Sequence, residues 1–267
     1  PRGGARGAAG AAGGRAAGPA RRTLPAGTAG PLTAGELAAQ LAAGTLAERQ
    51  AALATLGELA DPAAAAALAA ALDRLMRGEL PRELALDVTE AAAKRDAAAV
   101  KSRLAAYREG RRPQDHLTPF REALWGGDAE RGRKVFYSGT TVACTRCHQI
   151  GPDGGGPSGP RLDGVAARLT REELLESIVA PNRRITEGYA TELVMLKDGT
   201  LLSGVVRSET AEALVMLLTG EEEGERTVRK ADLELREPGL SGMPEGFADI
   251  LTPFELRDVI AFLGTLK

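Results

Sequence analysis

The chain has 267 residues, with 34 Lys and Arg against 36 Asp and Glu, so its formal net charge is −2 at pH 7. This length allows two or more domains, and the balanced charge argues against a nucleic-acid-binding surface. No apolar run of about 18 residues occurs, so we expect no membrane span. The chain begins at Pro1 without a recognisable signal peptide, from which we expect a fragment or a processed form.

Residues 1–31 consist mainly of Gly, Ala, Arg and Pro without hydrophobic periodicity, which predicts a disordered linker. Five arginines and no acidic residue fall in the first 22 positions. We interpret this stretch as a solvated tail, with phosphate binding as the alternative.

Residues 32–110 have a helical pattern. Helix starts are predicted by two T-x-x-E capping boxes, at Thr33 and Thr45, and by an Asp-Pro cap at Asp61. Gly78 is a predicted helix end. Four leucines form one predicted apolar stripe: Leu46, Leu53, Leu56 and Leu59. Short helices joined by short links resemble HEAT-type repeats, with an irregular helical bundle as the alternative.

Residues 111–125 are expected to form a connector, because prolines interrupt the pattern there. This connector contains His116. We interpret His116 as a surface histidine, since no partner residue lies at ligand spacing; a metal ligand is the alternative.

Cys144-Thr145-Arg146-Cys147-His148 has the C-x-x-C-H spacing of covalent c-type haem attachment. Cys144 and Cys147 lie on one helical turn and can reach both vinyl groups of a porphyrin, while His148 supplies an axial imidazole. Of the two cysteines and two histidines in the chain, three lie in this motif. A thioredoxin-like C-x-x-C would require a βαβ context, and a zinc site would require two more ligands where only His116 remains. Aromatic residues make up only 3% of the chain, a shortage that a large buried cofactor would ease.

Helical patterns flank the motif. A short helix capped by Asp128 leads to it, and a capping box at Thr170 opens a helix that ends near Val179. The last helix starts at Thr252 and carries four apolar residues on one predicted face: Leu256, Val259, Ile260 and Leu263.

Residues 189–236 differ in composition from the segments on either side and are rich in Val, Leu and Thr. Asp198-Gly199 is a strong hairpin signal between the first two of four predicted strands. The predicted strands are Tyr189–Leu196, Thr200–Arg207, Ala213–Leu218 and Arg226–Leu235. We expect a small antiparallel sheet or barrel that covers one edge of a haem pocket, with docking of an electron-transfer partner as the alternative role.

Residues 126–188 and 237–267 resemble a class I c-type cytochrome. The run from residue 126 onward more closely resembles the C-terminal haem-binding domain of planctomycete and verrucomicrobial multidomain cytochromes, which often carry HEAT-like repeats ahead of it. The elements that carry the resemblance are G-G-D-A-E-R-G-R-K-V-F (126–136), C-x-x-C-H, G-P-x-L-x-G (159–164), E-L-L-E-S-I-V-A-P-N (173–182) and S-G-M-P-E-G (241–246). The implied fold is mainly α: a helical-repeat segment, then a cytochrome c-like helical domain with a small antiparallel β insertion at 189–236.

The resemblance also implies specific contacts. The helix around Gly132 and Phe136 should cross the C-terminal helix near Phe262. The carbonyl oxygen of Pro160 should accept the second ring N–H of His148. Three further residues are candidate donors to haem propionates, with solvation as the alternative: Arg161, Asn182 and Arg183.

The sixth coordination position decides between electron transfer and small-molecule chemistry. Met195 and Met216 lie in strand-like segments and are interpreted as core residues. Met243 lies in an irregular loop with small neighbours and is the predicted distal ligand, because a soft thioether favours ferrous iron and closes the site. His116 and no protein ligand at all are the alternatives.

These features predict a monohaem c-type cytochrome module, with one covalently attached haem c, that passes single electrons and is not itself catalytic. The expected partners are an upstream or partner dehydrogenase and a respiratory carrier. We expect a periplasmic location, because thioether attachment requires reduced thiols and an extracytoplasmic ligation system. The alternatives are a haem enzyme or gas sensor with an open sixth site, and a helical-repeat scaffold in which haem is secondary.

Overall fold

The computed structural model describes residues 32–111, 114–138, 142–152, 154–219 and 224–267. The predicted linker at 1–31 lies outside these described residues. The described chain combines α-helices with one five-stranded antiparallel sheet, and from Thr33 to Lys267 it forms one compact unit. None of the described helices is both long and apolar enough to cross a bilayer.

The helices and strands follow one another in this order along the chain. The helices are α1 (Ala34–Ala43), α2 (Leu46–Glu58), α3 (Pro62–Met76), α4 (Ala85–Ala93), α5 (Ala98–Gly110), α6 (Ala129–Ser138), α7 (Val165–Arg168), α8 (Arg171–Val179), α9 (Phe247–Ile250) and α10 (Pro253–Leu263). The strands, which lie between α8 and α9, are β1 (Ala190–Leu196), β2 (Leu201–Glu209), β3 (Ala213–Leu218), β4 (Gly224–Arg229) and β5 (Leu233–Ser241).

The N-terminal helices begin at the predicted caps. Thr33 and Thr45 each accept the backbone amide of the glutamate three residues on, whose carboxylate accepts the threonine amide in return. Asp61 accepts the Ala63 amide at the start of α3, and Gly78 follows that helix with a φ of 70°. Within the group of helices α1 to α5, each helix packs against its neighbour in the chain and against the helix two positions away.

The predicted leucine stripe on α2 is only partly correct. Leu53 and Leu56 are fully buried, whereas Leu46 is 40% exposed and Leu59 is half-buried. Leu46 is the first residue of α2 and Leu59 follows its last, so burial is confined to the interior of the helix.

The helical segment contacts the C-terminal part of the chain through buried charge. Arg257 on α10 donates to Asp87 on α4 at 2.6 Å, and the two side chains are only 4% and 7% exposed. The Trp125 ring is contacted by the guanidinium groups of Arg82 and Arg171, at 3.4 and 4.8 Å from the ring centroid. The connector is therefore packed against both parts of the chain.

The predicted crossing of α6 and α10 is confirmed. The ring centroids of Phe136 and Phe262 are 5.5 Å apart, and a Cβ on Gly132 would lie 2.9 Å from the Phe262 Cβ. The four residues predicted to form the apolar face of α10 are all buried, and burial extends further, to every residue from Leu256 to Leu263. α10 is covered on several sides, since α6, α8, the 3₁₀ helix Thr118–Leu124 and Asp87 all contact it.

The sheet has the strand order β4-β3-β2-β1-β5, with every neighbouring pair antiparallel. The predicted turn at Asp198-Gly199 joins β1 to β2, and Gly199 has a φ of 86°. The inward-facing residues form a separate apolar core: Val194, Leu196, Leu202, Leu214, Met216, Leu218 and Val228.

The prediction of one strand over Arg226–Leu235 is wrong. A 3₁₀ turn at Lys230–Asp232 divides this segment into β4 and β5. The division is required because β4 pairs with β3, whereas β5 pairs with β1 on the other side of the sheet. β5 also continues beyond residue 236 and ends at Ser241, two residues before Met243.

Candidate functional site

The two cysteines lie on a single turn. Residues Cys144–Arg146 form a 3₁₀ helix, in which the Cys147 amide donates to the Cys144 carbonyl at 3.3 Å. The His148 amide donates to the same carbonyl at 3.0 Å, which continues the turn to the histidine. Both thiols are free and half-buried, and burial raises the pKa of the Cys144 thiol to about 11.

The predicted contact between His148 and Pro160 is confirmed, since Nδ1 lies 2.8 Å from the Pro160 carbonyl oxygen. A carbonyl oxygen only accepts, so Nδ1 carries the proton and Nε2 is left with a lone pair. Burial lowers the pKa of His148, which favours the neutral ring. Within the described part of the chain, Nε2 makes no hydrogen bond, and it is therefore available as a metal ligand.

Glycines after the motif form a close backing for this turn, a role that the sequence analysis did not assign to them. Gly156 and Gly159 donate backbone hydrogen bonds to Thr145 and Cys147, at 2.9 and 2.8 Å. A Cβ at Gly159 would lie 2.9 Å from Cε1 of His148. The run Gly154-Gly155-Gly156, which begins six residues after His148, was the available signal.

The loop that carries Met243 is held by one side chain. Asn182 accepts the Ser241 amide through Oδ1 at 2.7 Å and donates through Nδ2 to Glu245 Oε1 at 2.6 Å. Within the loop, the Met243 amide donates to Ser241 Oγ at 3.1 Å. Both polar ends of Asn182 are therefore bonded to the methionine loop.

Met243 and Cys144 are both half-buried against the same apolar cluster. Its buried members are Leu117, Ala123, Leu124, Phe136, Val142, Val165, Leu174, Leu175, Ile178, Leu251, Leu256, Val259, Ile260, Phe262 and Leu263. This cluster is separate from the core of the sheet. The Cys144 thiol and the Met243 thioether therefore lie against one apolar environment. A porphyrin requires an environment of this kind.

The sheet contacts the loop behind the C-x-x-C-H turn. Arg207 on β2 donates to the Pro157 carbonyl and lies 5.3 Å from the Tyr189 ring centroid. Within the sheet, Thr191 on β1 donates to the Leu240 carbonyl on β5, just before the methionine loop. β5 itself therefore leads from the sheet to Met243.

The arginines considered as propionate donors have protein partners. Arg161 donates to Gln149 Oε1 at 2.7 Å, to the Gly151 carbonyl at 3.0 Å and to Asp163 at 2.8 Å. The side chain of Arg183 is largely exposed, with Nε 3.7 Å from a Glu176 oxygen.

His116 is half-buried rather than on the open surface, and its Nε2 lies 2.7 Å from Glu176 Oε1. Among the described residues, no group of three or more His, Cys, Asp and Glu could hold a metal ion. No strand precedes Cys144 in the described chain, so a thioredoxin-like βαβ unit has no counterpart there.

The donor set therefore fits haem c better than a zinc ion: two free thiols on one turn, an oriented imidazole with a lone pair, and a thioether on the same apolar cluster. The Gly159 backing leaves no room for a side chain behind the imidazole ring. No protein-family model matches this chain, and a search of curated proteins finds no similar protein.

Proposed function

We propose that this chain is a monohaem c-type cytochrome module that transfers single electrons. The observation that carries the proposal is the hydrogen bond between His148 Nδ1 and the Pro160 carbonyl, within a C-x-x-C-H turn. It orients the ring and leaves Nε2 as a lone-pair donor beside two free thiols. A histidine that was merely structural would have no need of this combination.

Cys144 and Cys147 would hold the haem through two thioether bonds, each formed by adding a thiol S–H across one vinyl group of the porphyrin. His148 Nε2 and Met243 Sδ would be the ligands of the iron. When bound, the haem would supply a one-electron ferric–ferrous couple. Met243 would favour the ferrous state, because a thioether is a soft ligand, and would close the sixth position to exogenous ligands. His116 is a weaker candidate than Met243 for the second iron ligand, because its Nε2 is hydrogen-bonded to Glu176.

The finer architecture that we propose is a helical-repeat segment followed by a cytochrome c-like helical domain with a β insertion. The contacts of α1 to α5 with the next helix and the next but one support the repeat arrangement. The close crossing of α6 and α10 at Gly132, beside the C-x-x-C-H turn, supports the cytochrome-like domain. The sheet lies in the chain between α8 and the methionine loop, where the insertion is expected.

We further propose a periplasmic location, since thioether formation requires an extracytoplasmic ligation system. An upstream or partner dehydrogenase would supply the electron, and a respiratory carrier would accept it. We also propose that the module itself carries electrons only, because two protein ligands on the iron, His148 and Met243, would leave no open position for a substrate.

The test is to produce the chain with a c-type maturation system and extract it with acidified acetone. We expect the haem to stay with the protein, and to move into the solvent phase when Cys144 and Cys147 are both replaced by serine. His116→Ala is the matched control and should retain covalent haem. Haem that is extracted from the wild-type chain would disprove the proposal.

A reduced-minus-oxidised spectrum completes the test, because it separates electron transfer from the chemistry of an open sixth site. We expect a six-coordinate low-spin spectrum with the methionine–iron charge-transfer band. A five-coordinate spectrum would instead support a haem enzyme or gas sensor.

A further inference from the structure

Asn182 is the only asparagine in the sequence, and its side chain connects the turn after α8 to the methionine loop. Its partners, Ser241 and Glu245, lie 59 and 63 residues further along the chain. Met243 is between these two anchor points, with Pro244 beside it. One planar amide thus fixes both ends of a five-residue segment that contains the candidate ligand.

The chemistry of the two contacts calls for an asparagine. The Ser241 N–H can only donate, and the Glu245 carboxylate, when ionised, can only accept. A side chain that joins them must carry an acceptor and a donor side by side, which a carboxylate or an alkyl group does not. The bond to Glu245 involves a charged acceptor and is the stronger of the two.

Other contacts bring the same segment to a defined place. Ser241 pairs with Ala190 at the end of the sheet, and the Met243 amide donates to Ser241 Oγ. A Cβ on Gly242 would lie 3.5 Å from Thr191 Cγ2, which is ordinary van der Waals contact. The sheet therefore holds the methionine loop on one side. Asn182, in the turn after α8, holds it on the other side.

We propose that Asn182 is a positioning residue for the distal methionine rather than a donor to a haem propionate. This inference rests on the proposed function. Asn182 acts on Met243 only through the loop, by limiting the excursions in which the thioether leaves the iron. The equilibrium between bound and released methionine should therefore respond to Asn182, although its two hydrogen bonds go to Ser241 and Glu245 and not to a ligand atom.

The first experiment examines the contact whether or not haem is bound. Labelling of asparagine with ¹⁵N in the side chain gives a single amide pair in the NMR spectrum of the full chain, because Asn182 is unique. Glu245→Gln should shift that pair, and Asn182→Ala should accelerate hydrogen exchange at the Ser241 amide. Glu187→Gln, a matched loss of one exposed carboxylate, should leave both unchanged. Unchanged signals in Glu245→Gln and unchanged Ser241 exchange in Asn182→Ala would overturn the inference.

The second experiment measures methionine release in the haem-loaded chain. Asn182→Ala should make carbon monoxide bind the ferrous protein at least roughly tenfold faster, since hydrogen bonds that close the loop are lost. The charge-transfer band should also disappear at a lower temperature. Asn182→Asp should behave similarly, because it places a second carboxylate against Glu245.

Combining Asn182→Asp with Glu245→Gln reverses the direction of one hydrogen bond and should restore slow carbon monoxide binding. A propionate donor would behave differently: Asn182→Ala would shift the potential but leave methionine release unchanged, and Glu245→Gln would not rescue Asn182→Asp. That pattern would overturn the inference while leaving the cytochrome proposal intact. A wild-type chain that takes up no haem would instead disprove the proposed function, and the positioning role with it.

Discussion

Replacing Gly132 with alanine should force α6 away from α10. A Cβ at this position would lie 2.9 Å from the Phe262 Cβ and closer still to the Asp258 carbonyl oxygen. Carbon atoms in contact prefer about 3.5–4.0 Å, so the helices must separate by roughly 1 Å or more. The obstacle includes backbone, which no change of side-chain rotamer can remove.

The separation would also disturb a polar contact between the same helices. The Asp258 carboxylate accepts the Asp128 amide at 2.7 Å and Arg131 Nε at 2.6 Å. Overpacking usually costs 1–3 kcal/mol, and with this contact strained we expect a loss of about 3 kcal/mol for Gly132→Ala. For a chain of this size that corresponds to a decrease in Tm of roughly 6–12 °C.

The matched control is Gly35→Ala in α1, where the nearest atom to a new Cβ, Thr33 Oγ1, is 4.0 Å away. That substitution should stabilise the chain by up to about 1 kcal/mol, because alanine loses less backbone entropy than glycine in a helix. Thermal and urea unfolding followed by far-ultraviolet circular dichroism would measure both. If Gly132→Ala proves as stable as Gly35→Ala, the close approach of α6 and α10 is wrong.

Two further predictions concern the distal ligand and a helix cap. Met243→Ala should open the iron, so that the ferrous protein binds carbon monoxide readily and the potential falls, whereas His116→Ala should change neither; the reverse result would identify His116 as the ligand. The Thr170 amide, followed by Arg184 and the Thr170 hydroxyl, lowers the pKa of Glu173 to about 2. A depressed carboxyl pKa stabilises the folded state above the ordinary value of 4.5, and this contribution disappears as the pH falls toward 2. The difference in unfolding midpoint between the wild type and Glu173→Gln should therefore be present at neutral pH and vanish over that range, and a difference that persists at pH 2 would contradict the cap.

Features that depend on a few neighbouring residues could be predicted from the sequence. The capping boxes at Thr33, Thr45 and Thr170 and the turn at Asp198-Gly199 each satisfy backbone groups locally, and all four are confirmed. The single turn that holds both cysteines is local as well.

Features that depend on distant partners could not be predicted in the same way. The division between β4 and β5 is set by which strand each pairs with, β3 for β4 and β1 for β5. The pairing of Asn182 with a loop some 60 residues away leaves no periodic signal in the sequence, which suggests for this residue a propionate contact or solvation instead. The Gly159 backing of His148 likewise depends on a return of the chain that its local sequence does not specify.

The buried ion pair between Asp87 and Arg257 bears on how the helical segment could serve an electron-transfer module. These residues are 170 positions apart, and separating them would leave each charge without its partner. A rearrangement that removes one charge from its partner while the other stays buried typically costs about 3–5 kcal/mol, so sliding within the closed junction is strongly disfavoured. Trp125, contacted by arginines from both sides of the connector, opposes the same motion. A redox partner that bound the helical segment would therefore be held in a fixed orientation to the C-x-x-C-H turn, whereas a flexibly tethered scaffold would impose no such orientation.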